Sequence, residues 1–222
     1  MDFADVDWAH PANPGETFSV QDSRGMDVGV VQGEPQYMDI DGDGHADAIV
    51  RVRQGAGNGF LDSRSVWLWD PGAEEAKQVL PALTLEARCD DMTTDIEAVG
   101  AGKLVVTRKM REGEACAVTP TKTAKFTMEI EDGFAWQTDP FVSALRCPAS
   151  PGRELHFRGP DLGNHGLKPW PDESAPDMVT AEDVAAFDTN GETQGLPAGW
   201  TQQSFISKTN SADGESQCGY LG

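Results

Sequence analysis

At 222 residues the chain is long enough for one large domain or two small ones, with a core that does not need a staple in every layer. Its 17 Lys and Arg stand against 37 Asp and Glu, a formal charge of −20. That sign excludes attraction to nucleic acid or anionic lipid headgroups, since both depend on positive protein charge, and leaves cations and basic partners open.

With 24 Gly and 14 Pro, the composition suits short strands joined by many turns, so the expected fold is mainly β, with antiparallel sheets. The start, Met1-Asp2-Phe3-Ala4-Asp5, lacks the basic and apolar stretches of a signal peptide. Met1 is therefore expected to open a mature chain, with any export signal or lipid anchor upstream already removed. Thr17-Phe18-Ser19-Val20 and Val28-Gly29-Val30-Val31 read as edge strands among turn residues.

From Gln36 to Ile40 the chain reads as extended, and Ala48-Ile49-Val50-Arg51-Val52-Arg53 alternates, with Ile49, Arg51 and Arg53 on one face. After the Gly-rich tip Gln54 to Gly59 comes a strong strand, Ser65-Val66-Trp67-Leu68-Trp69-Asp70, closed by Pro71-Gly72. A weaker version of the pattern follows in Lys103–Arg108 and Lys125–Ile130, with a turn at Glu131-Asp132-Gly133. Two similar strand units are expected, as propeller-like blades or a sandwich, in a β domain over residues 1–147.

Residues 148–222 read as a loop-rich extension or subdomain, interrupted by Pro148, Pro151, Pro160, Pro169, Pro171, Pro176 and Pro197. Thr180-Ala181-Glu182-Asp183-Val184-Ala185-Ala186-Phe187 reads as its one short helix, capped by Thr180, with Asp188-Thr189-Asn190-Gly191-Glu192 as the turn after it. Cys89, Cys116, Cys147 and Cys218 contain no C-x-x-C pair, which argues for disulfides in an oxidising compartment over a zinc ribbon or redox site. Chain proximity favours Cys89 with Cys116 and Cys147 with Cys218, among the three connectivities that four cysteines allow.

The segment with the most specific chemistry joins two strands, the extended Gln36 to Ile40 and the alternating Ala48 to Arg53: Asp39-Ile40-Asp41-Gly42-Asp43-Gly44-His45-Ala46-Asp47. Alternate aspartates in a curled loop direct carboxylates to one centre, and carboxylates held that close repel unless a cation lies among them. Asp39, Asp41 and Asp43 are the expected side-chain ligands of Ca²⁺, with the backbone carbonyl of His45 as a further oxygen. Asp47 closes the shell directly or through water, and Gly44 permits the reversal. Magnesium fits less well, because it keeps several of its waters.

This loop resembles the D-x-D-G-D-G-x-x-D element of FG-GAP and VCBS-type repeats, over roughly residues 34 to 70. The resemblance implies the same ligands: Asp39, Asp41, Asp43 and Asp47 by side chain, and His45 by its carbonyl. Val50 stands where an EF-hand carries its bidentate glutamate, so the EF-hand reading falls away. Such repeats build multi-blade propellers, for which this chain is too short. A lone loop is more similar to single-motif secreted proteins and lipoproteins of Gram-positive actinobacteria.

Catalytic signatures are absent from the sequence. His10, His45, His156 and His165 form no H-E-x-x-H, and there is no G-x-S-x-G elbow. Among so many acids, Glu97, Glu129 and Asp132 do not single themselves out as a glycosidase pair. Trp67 and Trp69 share a strand face and are expected in the core, which leaves Trp170 and Trp200 as candidate recognition residues. The expected protein is a non-enzymatic, calcium-stabilised binding or accessory protein of the cell envelope, contacting a wall glycan or another envelope protein. The alternative is a calcium-supported hydrolase of an envelope glycan or peptide.

Overall fold

A computed structural model describes residues 2–3, 5–10, 13–20, 29–56, 59–139, 141–142, 166–169, 171–177, 179, 184–189, 197–207 and 217–222. Among them no residue is α-helical, and no helix is long and apolar enough to cross a membrane. The elements are strands in antiparallel sheets, as the turn-rich composition requires.

β1 (Asp7–His10) and β2 (Asn13–Ser19) form a hairpin. β3 (Gly29–Val31), β5 (Asp47–Ala56), β6 (Gly59–Asp70) and β7 (Glu75–Gln78) follow one another across a first sheet. Short β4 (Gln36–Met38) also pairs with β5, and β8 (Thr84–Ala87) with β6. β9 (Met92–Gly100), β10 (Lys103–Met110), β11 (Lys122–Glu131), β12 (Phe134–Asp139) and β13 (Phe141–Val142) make a second sheet in meander order. The two strand units expected from the sequence are these two sheets.

They pack as a sandwich because each strand presents its apolar residues with period two. Ile40, Ile49, Val66, Val79 and Leu83 from the first sheet and its connections meet Ile96, Leu104, Val106, Met128 and Ala135 of the second in one buried cluster. Fully burying each such aliphatic side chain contributes about 1.5–3 kcal/mol. The opposite face of the first sheet is also covered: Ala48, Val50, Val52 and Trp67 pack with Phe3, Trp8 and Val20. Trp8 meets Trp67 edge-on at 5.1 Å and donates its indole N–H to the Phe3 carbonyl at 3.0 Å. β5 therefore carries apolar side chains on both faces, which explains the near-continuous run Ala48-Ile49-Val50.

The disulfide Cys89–Cys116 is formed, joining the β8–β9 connection to the β10–β11 connection, with both cysteines exposed. The expected partner of Cys218, Cys147, lies outside the described residues.

In the C-terminal part, β14 (Val184–Thr189), β15 (Thr201–Ser207) and β16 (Gln217–Leu221) form a three-stranded antiparallel sheet. The helix expected over 180–187 is thus corrected: its described portion is strand. Two helical turns have little stability alone, whereas Val184 and Phe187 are strand formers and β15 supplies a ladder partner. Asp188 and Thr189 likewise continue β14 and do not form the expected turn. Tyr220 of β16 packs edge-on against Phe134 of β12 at 5.9 Å, linking this sheet to the sandwich.

Candidate metal centre

The Asp39–Asp47 loop leaves β4 and enters β5 at one end of the sandwich. Carboxylate oxygens of Asp39, Asp41 and Asp43 lie within 4.8 Å of one another. Their convergence follows from tight turns: Gly42 and Gly44 have φ of +84° and +87°, a left-handed conformation that disfavours residues with a Cβ. Asp39 accepts the N–H groups of Gly42 (2.8 Å) and Gly44 (3.2 Å), Asp41 that of Asp43 (3.1 Å), and Asp43 that of His45 (2.7 Å). Each aspartate curls the chain ahead of it, so the next carboxylate returns to the same side.

Asp47 plays a different part from the three surface aspartates. It is 1% exposed, and its Oδ2 accepts the backbone N–H of Ile40 at 2.8 Å and of Asp41 at 3.4 Å, while Oδ1 accepts that of Trp69 at 2.8 Å. The side chain closes the loop on itself and ties it to β6. A carboxylate offers about four acceptor sites, so three N–H donors leave room for one more ligand.

The loop also rests on the second sheet. Gly102, in the β9–β10 turn, donates its N–H to the Ile40 carbonyl at 2.7 Å and accepts from Ile130 at 2.8 Å. A Cβ on Gly42 would come within 2.8 Å of the Ala101 Cβ, so Gly42 is required by packing as well as by conformation. Desolvation pushes the Asp41 carboxyl above its ordinary range; the hydrogen bond from Asp43 opposes this, and the charges of Asp47, Asp43 and Asp39 add to it. A cation placed among carboxylates relieves the charge repulsion that forms part of this shift.

Asp41 and Asp43 line a cavity of about 390 Å³ whose other walls include Trp69, Asp70, Lys77 and Asp132. Sequence reading missed this cavity, because residues from three separate turns form it. His45 is exposed in the loop. Trp200 is half-buried beside Gly222, where a Cβ would lie 2.8 Å from its indole ring, and Trp170 lies outside the described residues. No protein-family model, curated protein or solved structure matches the chain.

Proposed function

We propose that the protein is an extracytoplasmic, calcium-stabilised binding or accessory protein of the cell envelope. The observation that carries this reading is the convergence of Asp39, Asp41 and Asp43 within 4.8 Å on a loop made for it by two left-handed glycines. Calcium takes six to eight oxygens; in this reading the three carboxylates and the His45 carbonyl bind it, Asp47, which lies outside the converging group, closes the shell directly or through water, and water completes it. The exposed disulfide supports a location outside the reducing cytoplasm.

The role assigned to calcium is structural. The loop bridges both sheets, so an ion there steadies the end of the sandwich and the cavity that Asp41 and Asp43 line. A wall glycan or another envelope protein is the proposed partner.

The test is thermal unfolding with calcium and with chelator, paired with elemental analysis of the purified protein. At a calcium concentration a hundred times its dissociation constant, mass action adds about 2.7 kcal/mol to stability. Identical melting curves and no bound calcium would refute the reading.

A further inference from the structure

The inner face of the first sheet changes character along its strands. Ile49 and Val66 face each other across β5 and β6 and enter the apolar core. Further along the same face, Arg51 stands opposite Arg64, Arg53 opposite Asp62, and Asp62 opposite Glu86 of β8. An apolar face thus continues as an ionic one.

Asp62 is 1% exposed and serves both arginines side-on. It accepts Nε and Nη2 of Arg51 at 2.7 Å each, and Nε and Nη2 of Arg53 at 3.1 and 2.8 Å. Arg64 pairs with Glu86 at 2.9 Å, and Glu86 also accepts the Thr93 N–H at 2.6 Å. Three guanidinium groups against two carboxylates leave one positive charge in excess. The two arginines on Asp62 keep 39% and 41% of their side chains exposed, above a carboxylate that is sealed.

The disulfide-linked connections rise beside this cluster. Arg111 holds one of them in shape by donating Nη1 to the carbonyls of Glu114 (3.2 Å), Ala115 (2.9 Å) and Val118 (2.9 Å), while Asp91 accepts its backbone N–H at 2.7 Å. The Arg111 Nε is buried without an acceptor. Between the connections and the sheet lies a cleft of about 380 Å³, lined by Arg51, Arg53, Phe60, Met92, Arg111 and Val118 among others. The lining sets Arg51, Arg53, Arg88 and Arg111 against Asp62, Glu86, Asp90 and Asp91; Glu86 is paired from outside the cleft by Arg64, so the unbalanced guanidinium lies with the Asp62 pair. Arg53 lies over the Phe60 ring at 4.5 Å, and Met92 and Val118 are 43% and 49% exposed.

We infer that this cleft binds the carboxylate of a compact, partly apolar ligand. Each arginine meets Asp62 through its Nε–Nη2 edge, which leaves Nη1 for a second acceptor on the exposed side, where a charge-assisted bond to a carboxylate can form. A buried carboxylate holding two arginines adds little stability compared with apolar residues of similar size. What it does provide is two guanidinium groups fixed in place before a ligand arrives, beside apolar walls for the ligand's body. The volume falls in the range of small-ligand sites, about 300–1,000 Å³. In a chain of charge −20, a cleft where two exposed arginines share one sealed carboxylate offers an anion a local cationic anchor. The cleft shares no residue with the aspartate triad and does not depend on calcium there.

The experiment is an NMR titration of the intact protein in calcium-free buffer, following the Nε–H signals of Arg51 and Arg53 and the Met92 methyl. The probes are N-acetyl-dialanine, its C-terminal amide, glucuronate and inorganic phosphate. Saturable shifts with N-acetyl-dialanine or glucuronate but not with the amide support the site, and the tighter of the two identifies a peptide or a sugar acid as the source of the carboxylate. Arg53→Gln should weaken binding about tenfold. Val118→Asp, at the exposed rim and away from the Asp62 cluster, should weaken it while Val118→Asn does not, which keeps the test decisive if the arginine variant folds poorly. No saturable shift with either carboxylate, equal binding of the amide, or phosphate binding as tightly as both carboxylates would overturn the inference.

Discussion

Asp47 accepts the backbone N–H of Trp69 at 2.8 Å, joining the end of the aspartate loop to a strand 22 residues further along the chain. Its other oxygen accepts the Ile40 N–H at 2.8 Å, so one buried side chain sets both the loop's closure and its seat on β6. Asp47→Ala removes the acceptor of the Ile40, Asp41 and Trp69 N–H groups, and each buried one left unpaired costs about 1–3 kcal/mol. Urea unfolding in calcium-free buffer should show a lower midpoint with an unchanged slope. A loss below about 0.5 kcal/mol, the usual scale of a surface change, would show that Asp47 is not the anchor described.

Asp41 is expected to separate charge from loop shape. Asp41→Asn keeps an oxygen for the Asp43 N–H, now 3.1 Å away, while removing one of the converging charges. Without calcium the variant should melt at or above the wild-type temperature, since repulsion is relieved. With calcium it should gain much less than the wild type. A variant that gains as much would remove Asp41 from the ligand set.

The Asp62 cluster predicts an acid-side dependence. Burial alone pushes this carboxyl up, but hydrogen bonds and charge from Arg51 and Arg53 outweigh burial and hold it below its ordinary value of 3.8. A depressed folded value contributes stability that is complete above the unfolded value and is lost as pH falls through the folded one. Acid titration of stability should therefore fall more steeply below about pH 4 in the wild type than in Asp62→Asn. Parallel acid limbs would show that the carboxylate is not held in its charged form by the arginines.

The Cys89–Cys116 bridge closes a segment with a sequence separation of 27. Chain-entropy reasoning gives such a loop about 3–4 kcal/mol of stabilisation. The double variant Cys89→Ser/Cys116→Ser should unfold at correspondingly lower urea while keeping its β-type circular dichroism. Loss of the β signal altogether would mean that the bridge is needed to form the second sheet.

How much of this was legible beforehand depends on the range of the interaction. Period-two patterning placed β5, β6, β10 and β11, because apolar alternation is a local property. It did not find β8 or β9, where Thr84, Glu86 and Thr93 are polar yet buried, Glu86 by its pairing with Arg64 and its bond from the Thr93 N–H. The phase of Ile49, Arg51 and Arg53 was visible, but their carboxylate, Asp62, sits across a hairpin and is one acid among many. Likewise the spacing of Asp39, Asp41 and Asp43 was readable, whereas the service of Asp47 to Trp69 required the pairing of β5 with β6. Chain proximity alone suggested the Cys89–Cys116 bridge, and the fold supplies its reason: the two cysteines flank the β9–β10 hairpin, which brings them together. The helix expected near 180 failed because local capping residues were weighed without the strand waiting to pair beside them.

The contact of Gly42 with Ala101 has a consequence for protein engineering. Because the loop's second turn fits against a hairpin from the other sheet, grafting residues 39–47 alone onto a foreign β-hairpin would transfer the ligand atoms without the surface that holds them in place. A portable version has to carry the turn at 99–102 as well, with Gly42 kept and nothing larger than alanine at 101, since Gly42 has no side chain left to give up.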